Sequence, residues 1–590
     1  MKYKNIIYAL SMVALMLTMG CNDDFLERYP LDEISNETFW NTENDLKVYN
    51  NGLYDLTRND DNVPILMGHD GGFNSHKYGI WYTDEFTDNI APRHSRHNRY
   101  QQVRAGKHLV PSSTEWYGYK GWNFVRAINI GLDNYDNADI EDAVRNKYVG
   151  EARLFRGWFY ADKVSKFGDA PWVDHELNVD SDELYGARTP REEVMANVLA
   201  DLTFAAENLP SDWGDGAGPG RLNRWAALLV KSRVCLFEGT WRKYHGGSNP
   251  DMWLQEAAAA AKEIMDDGPY SLYSTGDPLN DYNAIHQMTA DLTGVSEVMY
   301  WRRYELGINT NHVQSYHRGY NGGATKSMVE DYLCADGLPI TLSDQYQGDE
   351  VFENIFENRD PRLRQTILHP DDVLKYGYGN FDTRPYPRLR GMEGGQTIET
   401  GYHIIKVFDP VTSYATYNTS NTPAITLRFG EALLNYAEAM AELGTITQSD
   451  LDASINLLRD RVGMPHMDLN NVPVDPRYVD DGVSPLIVEI RRERRVELFM
   501  EGFRYDDLRR WKQGKKLLTK DYGVRYDDAA QARYEKSNVA SSLVDGIPYV
   551  DVYKGSDYET PEFDENKHYL WPIPLSALSQ NPNIGQNPGW

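Results

Sequence analysis

The sequence predicts a mainly α-helical protein, a scaffold of stacked helix pairs interrupted by one long region rich in loops and short strands. Three observations carry that expectation. Apolar residues recur at helical spacing in several segments before residue 270 and again after residue 423, small residues sit inside those segments, and the stretch between them is rich in Gly, Asp, Asn and Tyr. The composition allows it: of 590 residues 41% are hydrophobic and 12% aromatic, enough for one large or two merged cores.

The chain begins with Lys2 and Lys4, an apolar run from Ile6 to Met19, then Gly20 and Cys21, the three-part layout of a secretory signal over residues 1–20. A membrane-spanning helix needs roughly 20 apolar residues, and this run is shorter and carries Tyr8, Ser11 and Thr18. Leu17-Thr18-Met19-Gly20-Cys21 resembles a bacterial lipobox, which makes Cys21 the acylated first residue of the mature chain; the plainer alternative is a secretory signal with an incidental cysteine. Acyl chains at about 0.8 kcal/mol per buried methylene would anchor the protein without a spanning helix.

The first helical pair is expected from Tyr119 to about Tyr135 and from Glu141 to Phe167, where Val149, Ala152, Phe155, Phe159 and Val164 share a stripe. Thr189-Pro190-Arg191-Glu192 reads as a cap with proline in the first turn, opening a helix that runs to Leu209. Trp225–Glu238 and Trp253–Met265 form a further pair, the second carrying the alanine run Ala257–Ala261 that lets helices approach closely. Between about 270 and 423 only short strands such as Val298–Arg302 are expected, and long insertions of this kind are usually binding loops. Leu427–Leu443 and Leu451–Val462 restore the helical pattern. Helix pairs of this length resemble irregular tetratricopeptide repeats. The division expected is an N-terminal region 21–215 and a C-terminal region 216–590 that holds the insertion, packed as one unit.

Charge and chemistry narrow the function. A net charge of −28 argues against nucleic acid and against docking on anionic lipid. Cys235 and Cys334 are the only cysteines besides Cys21, so neither a disulfide framework nor a Cys-x-x-Cys metal spacing exists. No nucleophile elbow, phosphate loop or His-Glu-x-x-His is present, and no carboxylate pair is singled out for glycoside hydrolysis. His94 and His97 have ligand-like spacing, but Arg93, Arg96 and Arg99 would oppose a cation there. No cofactor is indicated; a structural calcium ion is compatible with the loops without any residue set marking it.

Forty tyrosines and fourteen tryptophans supply flat faces with polar edges, which suit sugar rings as well as cores. Two stretches combine such faces with hydroxyl-binding side chains: Tyr78–Asn89, with Trp81, Tyr82, Asp84 and Asn89, and Trp301-Arg302-Arg303-Tyr304-Glu305 continuing through Tyr316 and Tyr320. Arg93, Arg96 and Arg99, with Arg104 and Lys107 behind them, form a basic cluster that reads either as exposed salt bridges or as a site for an acidic sugar. On the Arg494 helix, Arg494, Glu497, Glu501 and Arg504 fall on one stripe beside an apolar one, an ionic ladder whose alternating charges keep the carboxylates ionised. Trp571-Pro572-Ile573-Pro574 reads as an extended segment pinned on the body.

Several signatures together resemble one family. Asp24-Phe25-Leu26-Glu27 with Thr38-Phe39-Trp40 and Asn51-Gly52-Leu53-Tyr54, Glu151–Gly157 through Phe167-Gly168-Asp169-Ala170-Pro171, Arg428–Ala439, Arg494–Arg504 running into Asp507–Trp511, and the tail from Leu570 to Trp590 are similar, in order and spacing, to the SusD/RagB family of nutrient-binding lipoproteins. The resemblance implies a SusD-like fold on tetratricopeptide-like units, a surface-exposed position on the outer membrane through the lipid at Cys21, and a glycan ligand, and the absence of a catalytic motif points to a binding protein and not an enzyme. The resemblance also implies a SusC-type TonB-dependent β-barrel as partner. A peptide- or glycopeptide-binding member of the same family and a glycoside hydrolase are the alternatives.

Overall fold

The computed structural model describes residues 39–56, 65–69, 79–92, 98–114, 118–214, 220–288, 291–314, 322–372, 374–375, 381–382, 387–392, 397–408 and 419–590. Cys21, the signal 1–20, Tyr78, Arg93, His94, Arg96, His97, Tyr316 and Tyr320 lie outside these residues.

The scaffold is helical and forms close to where periodicity places it. After α1 (Glu43–Leu56) come α2 (Trp122–Asn134), α3 (Asp142–Phe167), α4 (Arg191–Asn208), α5 (Arg224–His245) and α6 (Pro250–Asp267). They pack in succession, α3 on α4, α4 on α5 and α5 on α6. Helix α5 starts on Asn223, whose side chain accepts from the Ala226 N–H, and α6 carries proline in its first turn. The α5–α6 crossing depends on Gly239: a Cβ there would stand 2.8 Å from Leu254 Cγ. The helix expected over Trp225–Glu238 runs on to His245, with Gly239 inside it at the crossing.

The chain then makes β1 (Val298–Arg302), which pairs antiparallel with β2 (Ala424–Arg428), Trp301 opposite Ile425. The segment expected as helix from Leu427 therefore begins as strand, and α7 spans Phe429–Glu442 and packs on α6. The helix expected over Leu451–Val462 is two short ones, Gln448–Asp452 and Ile455–Arg461, broken at Ser454. A three-stranded antiparallel sheet of Tyr522–Arg525, Ile547–Asp551 and Ser541–Val544 lies near the end, with the central strand contributed by Ile547–Asp551.

Two large apolar cores result. One is built by α1–α7 from residues such as Phe155, Leu229, Trp253 and Leu434. The other gathers Phe86, Tyr332, Phe499, Val524 and Trp571. Between them run α8 (Pro485–Glu497) and α9 (Arg504–Arg510), joined by a tight turn. Residues Val488–Glu497 are all buried, although six of these ten are Arg or Glu on adjoining positions 489 and 491–495 and a seventh is Glu497. Among the described residues no helix is long and apolar enough to cross a membrane.

Candidate functional site

The described aromatic residues of the two stretches singled out above are buried. Trp81 is only 3% exposed and Tyr82 is buried beside it on a short 3-10 turn, Tyr82–Phe86, within the second core. The polar members of that stretch are buried too, and they look inward. Asn89 Nδ2 donates to Asp84 Oδ1 at 2.7 Å, and the Gly502 N–H donates to Asp84 Oδ2 at 2.9 Å. Arg495 Nε donates to Asn89 Oδ1 at 2.8 Å, while Arg504 forks onto both oxygens of Asp88 at 2.8 Å. Gly502 has φ of +82°, and a Cβ on it would lie 1.9 Å from the Ile80 carbonyl oxygen, so the joint closes only with glycine. Asp84 and Asn89 thus tie the N-terminal segment to the α8–α9 turn with Trp81 buried beside them, while Tyr82 lies on the wall of a cavity next to that turn.

The environment splits two neighbouring acids. Burial pushes the Asp84 carboxyl up to about 7, against the pull of its two hydrogen bonds. Asp88, buried as deeply, is held well below the ordinary carboxylate range because Arg495 and Arg504 face it.

Helix α8 corrects the ladder expected on it. Met500 has φ of +65°, the helix ends at Glu497, and Glu501 lies in the turn. The charges pair with other elements: Glu497 accepts from Arg461 at 2.7 Å, Arg428 at 2.8 Å and Arg362 at 3.0 Å. Arg428 also reaches Glu297 and Glu501, and Arg494 meets Asp507 and Asn435. Lys406 Nζ donates to Glu501 and to the carbonyls of Glu497 and Phe499; burial brings it down to about 8.

The second stretch divides. Trp301 is 7% exposed and packs with Ile285, Leu292, Val298 and Ile425 in a small core of its own. The Tyr304 hydroxyl accepts from the His69 N–H at 2.8 Å and donates to the His69 carbonyl at 3.2 Å, and Arg302 lies over the Tyr304 ring. These three hold the root of a hairpin. Glu305 and Asn309 exchange backbone bonds of 2.8 and 2.9 Å across Gly307, and Asn311 and Ser420 continue the pairing. The hairpin carries Arg303 and Glu305 outward, and the Arg303 side chain, 62% exposed, is loosely held by Glu305 at 3.4 Å and Asp291 at 3.8 Å. Leu306 and Ile308 are exposed at its tip. Neither was singled out from sequence, though two large aliphatic residues astride a glycine are a recognisable hairpin tip. The hairpin therefore presents an aliphatic ledge with an exposed guanidinium and a carboxylate at its rim.

Of the basic cluster, Arg104 is buried, bonded to Asp521 at 2.6 Å and to the carbonyls of Leu517 and Thr519, and Lys107 reaches the Asp557 carbonyl and Glu562. These are internal pairings, and Arg104 is a buried one where an exposed bridge was expected. Asp521, like Asp84, is pushed up by burial, to about 6. Asp84 is thus engaged by Asn89 and Gly502, and Asp521 by Arg104. Among the described residues no group of three or more His, Cys, Asp or Glu side chains could hold a metal ion.

Comparison with known proteins adds three findings. The family model described as "SusD family" matches residues 284–590, just over half of the chain, and one described as "Starch-binding associating with outer membrane" matches 24–236. A SusD-like protein of Formosa agariphila is 24% identical over 99% of both chains, and one of Bacteroides ovatus is 22% identical over 100% of this chain and 98% of its own length. A crystal structure of a SusD-like carbohydrate binding protein from Bacteroides fragilis superposes with a TM-score of 0.71, covering 93% of this chain and 100% of that one at 22% identity. A further SusD-like protein from the same species gives 0.68 over 95% and 100%.

Proposed function

The chain belongs to the SusD family, and from that premise we propose that it is a non-catalytic, cell-surface lipoprotein that captures oligosaccharide or polysaccharide and passes it to a SusC-type TonB-dependent transporter in the outer membrane. The observation that carries the reading is the pair of family matches, which together span most of the chain from residue 24 to its end. The wording of the second match, starch binding with outer-membrane association, supports both the ligand class and the location. Binding without turnover is supported by the internal engagement of the raised acids Asp84, held by Asn89 and Gly502, and Asp521, held by Arg104. The candidate contact surface is the Arg303–Asn309 hairpin on its Trp301 root, and the anchor is Cys21.

Affinity electrophoresis across plant, host and microbial polysaccharides tests it. The wild-type protein should be retarded by at least one polymer, and the paired change Arg303→Ala with Leu306→Ser should weaken that retardation about tenfold while leaving the unfolding midpoint unchanged, since exposed pairs contribute under about 1 kcal/mol. Retention on peptide mixtures and on no polysaccharide would overturn the glycan reading. Palmitate label persisting on Cys21→Ala would overturn the anchor, and the transporter partner requires a large β-barrel to co-purify.

A further inference from the structure

A cavity of about 190 Å³ lies where the two cores meet, bounded by α3, α4, α5, the β2–α7 junction and the α8–α9 turn. One water needs roughly 10–15 Å³ of such space, so there is room here for a ring-sized molecule and not for a polymer. None of the residues that line it carries the hairpin surface described above.

The charges on its wall are closed on one another. Asp162 is matched by Lys166 at 2.7 Å, Glu238 by Arg191 at 2.5 Å and Glu431 by Arg233 at 2.6 Å. At the turn, Glu501 is matched by Arg428 at 2.7 Å and Asp506 by Arg509. No carboxylate on the wall lacks a cation, and no cation there lacks a carboxylate. A charged ligand would have to draw one partner out of a formed pair and leave the other without its counter-charge. An uncharged ligand makes no such demand. The pairs nevertheless keep hydrogen-bonding capacity. Arg233 spends Nε and Nη2 on Glu431 and the Thr426 carbonyl, which leaves Nη1 without a partner among the described residues. Lys166 Nζ donates to Asp162 alone, and the Thr83 hydroxyl, donating to the Gly502 carbonyl, can still accept. Trp158, Phe237 and Phe503 supply apolar surface between these groups.

Donors and acceptors spaced between apolar faces, with no net charge to satisfy, are the complement of a neutral polyhydroxylated ring. We propose that this cavity binds one neutral monosaccharide, as a site separate from the hairpin surface. The inference rests on the glycan reading for the class of ligand, whereas the site itself rests on the cavity. Within these pairs Asp162 and Glu501 lie below the ordinary carboxylate range, each drawn down by its cation, and Lys166 lies above the ordinary lysine range.

Saturation-transfer NMR with a panel of neutral aldohexoses and aldopentoses, one at a time at millimolar concentration, tests the proposal on the full-length protein. At least one sugar should bind the wild type. Ala161→Trp, which projects a ring into the space from α3, should weaken that sugar at least tenfold while polysaccharide retardation stays as in the wild type. Should that variant melt early, Val234→Phe from the opposite wall takes its place. Equal binding by filled and wild-type protein overturns the proposal, as does preference for a uronate or an amino acid over the neutral sugars. Failure of every monosaccharide with polysaccharide retention intact removes this site and leaves the family function standing; failure of both removes the two together.

Discussion

The α5–α6 crossing and helix α8 solve the same problem, a helix buried on nearly all sides, with opposite chemistry. At the crossing the buried surface is Ala257, Ala258, Ala260, Ala261, Leu254 and Trp253 against Leu228, Leu229, Ser232 and Gly239, and contact is by shape. In α8 seven of the ten buried positions carry a charge, and contact is by forks between guanidinium and carboxylate reaching α7, α9 and the Ile455–Arg461 helix. Apolar packing tolerates small adjustments, because a shifted leucine still touches something. A guanidinium that loses its carboxylate remains charged in a place without water. The scaffold can therefore drift in sequence while the joint between the two cores has one arrangement.

The strongest way to break that contrast is Glu497→Ala. This carboxylate serves three guanidiniums, and its removal leaves Arg362, Arg428 and Arg461 short of a partner at the boundary of both cores. A loss of about 5 kcal/mol or more is expected, at the upper end for one broken buried pair, read as a lowered urea midpoint or as failure to accumulate folded protein. Glu497→Gln, which keeps the shape and removes the charge, should be nearly as damaging. A loss below 2 kcal/mol for both would mean that water or neighbouring carboxylates compensate, and the joint would no longer differ in kind from the scaffold.

Leu254→Ala probes the other side at a smaller scale. Leu254 is fully buried and lies against Gly239, so truncation opens a void at the crossing. About 3 kcal/mol is expected, with the same slope of free energy against urea as wild type. If it exceeded the loss from Glu497→Ala, shape and not charge would be the sterner requirement in this fold.

The same contrast explains what could be read along the chain. Scaffold helices announce themselves through neighbours three and four positions apart, so α3, α4 and α6 were legible to within about three residues at each end. Partners at the joint are distant: Asn89 meets Arg495 from 406 positions away, and Gly502 meets Asp84 from 418. No periodicity encodes such a pair. The stripe of Arg494, Glu497, Glu501 and Arg504 looked like a local ladder because spacing was the only information present, and the positive φ at Met500 breaks it. Aromatic-rich loops misled for a related reason. In a short loop, composition marks which residues carry a flat face but not which way it turns, and Trp81, Trp301 and Tyr304 turned inward to hold the root of what Arg303 and Glu305 present outward.

Asp84→Asn gives the smallest effect and the most specific one. Asp84 belongs to the joint but lacks a guanidinium of its own, and its carboxyl is raised from an ordinary value of 3.8 to about 7. A raised acid contributes stability that is fully present below its unfolded value and is lost as pH rises through its folded one, so the window runs from about 4 to 7. Several buried histidines act in the opposite sense below pH 6.5, since His69, His245 and His568 are each brought down to about 4 by burial, and Asp521 acts in the same sense as Asp84. These contributions cancel when wild type and variant are compared at each pH. The melting temperature of the wild type minus that of Asp84→Asn should therefore rise steadily as pH falls from 8 to 5. At pH 8 the two proteins should lie within about 1 kcal/mol of each other, the variant losing one hydrogen bond from Asn89 or Gly502 but shedding a buried charge. A difference that stays flat across that range would place the Asp84 carboxyl among the fully ionised acids, alongside Asp88, and would make the whole joint one ionic network with no protonated member.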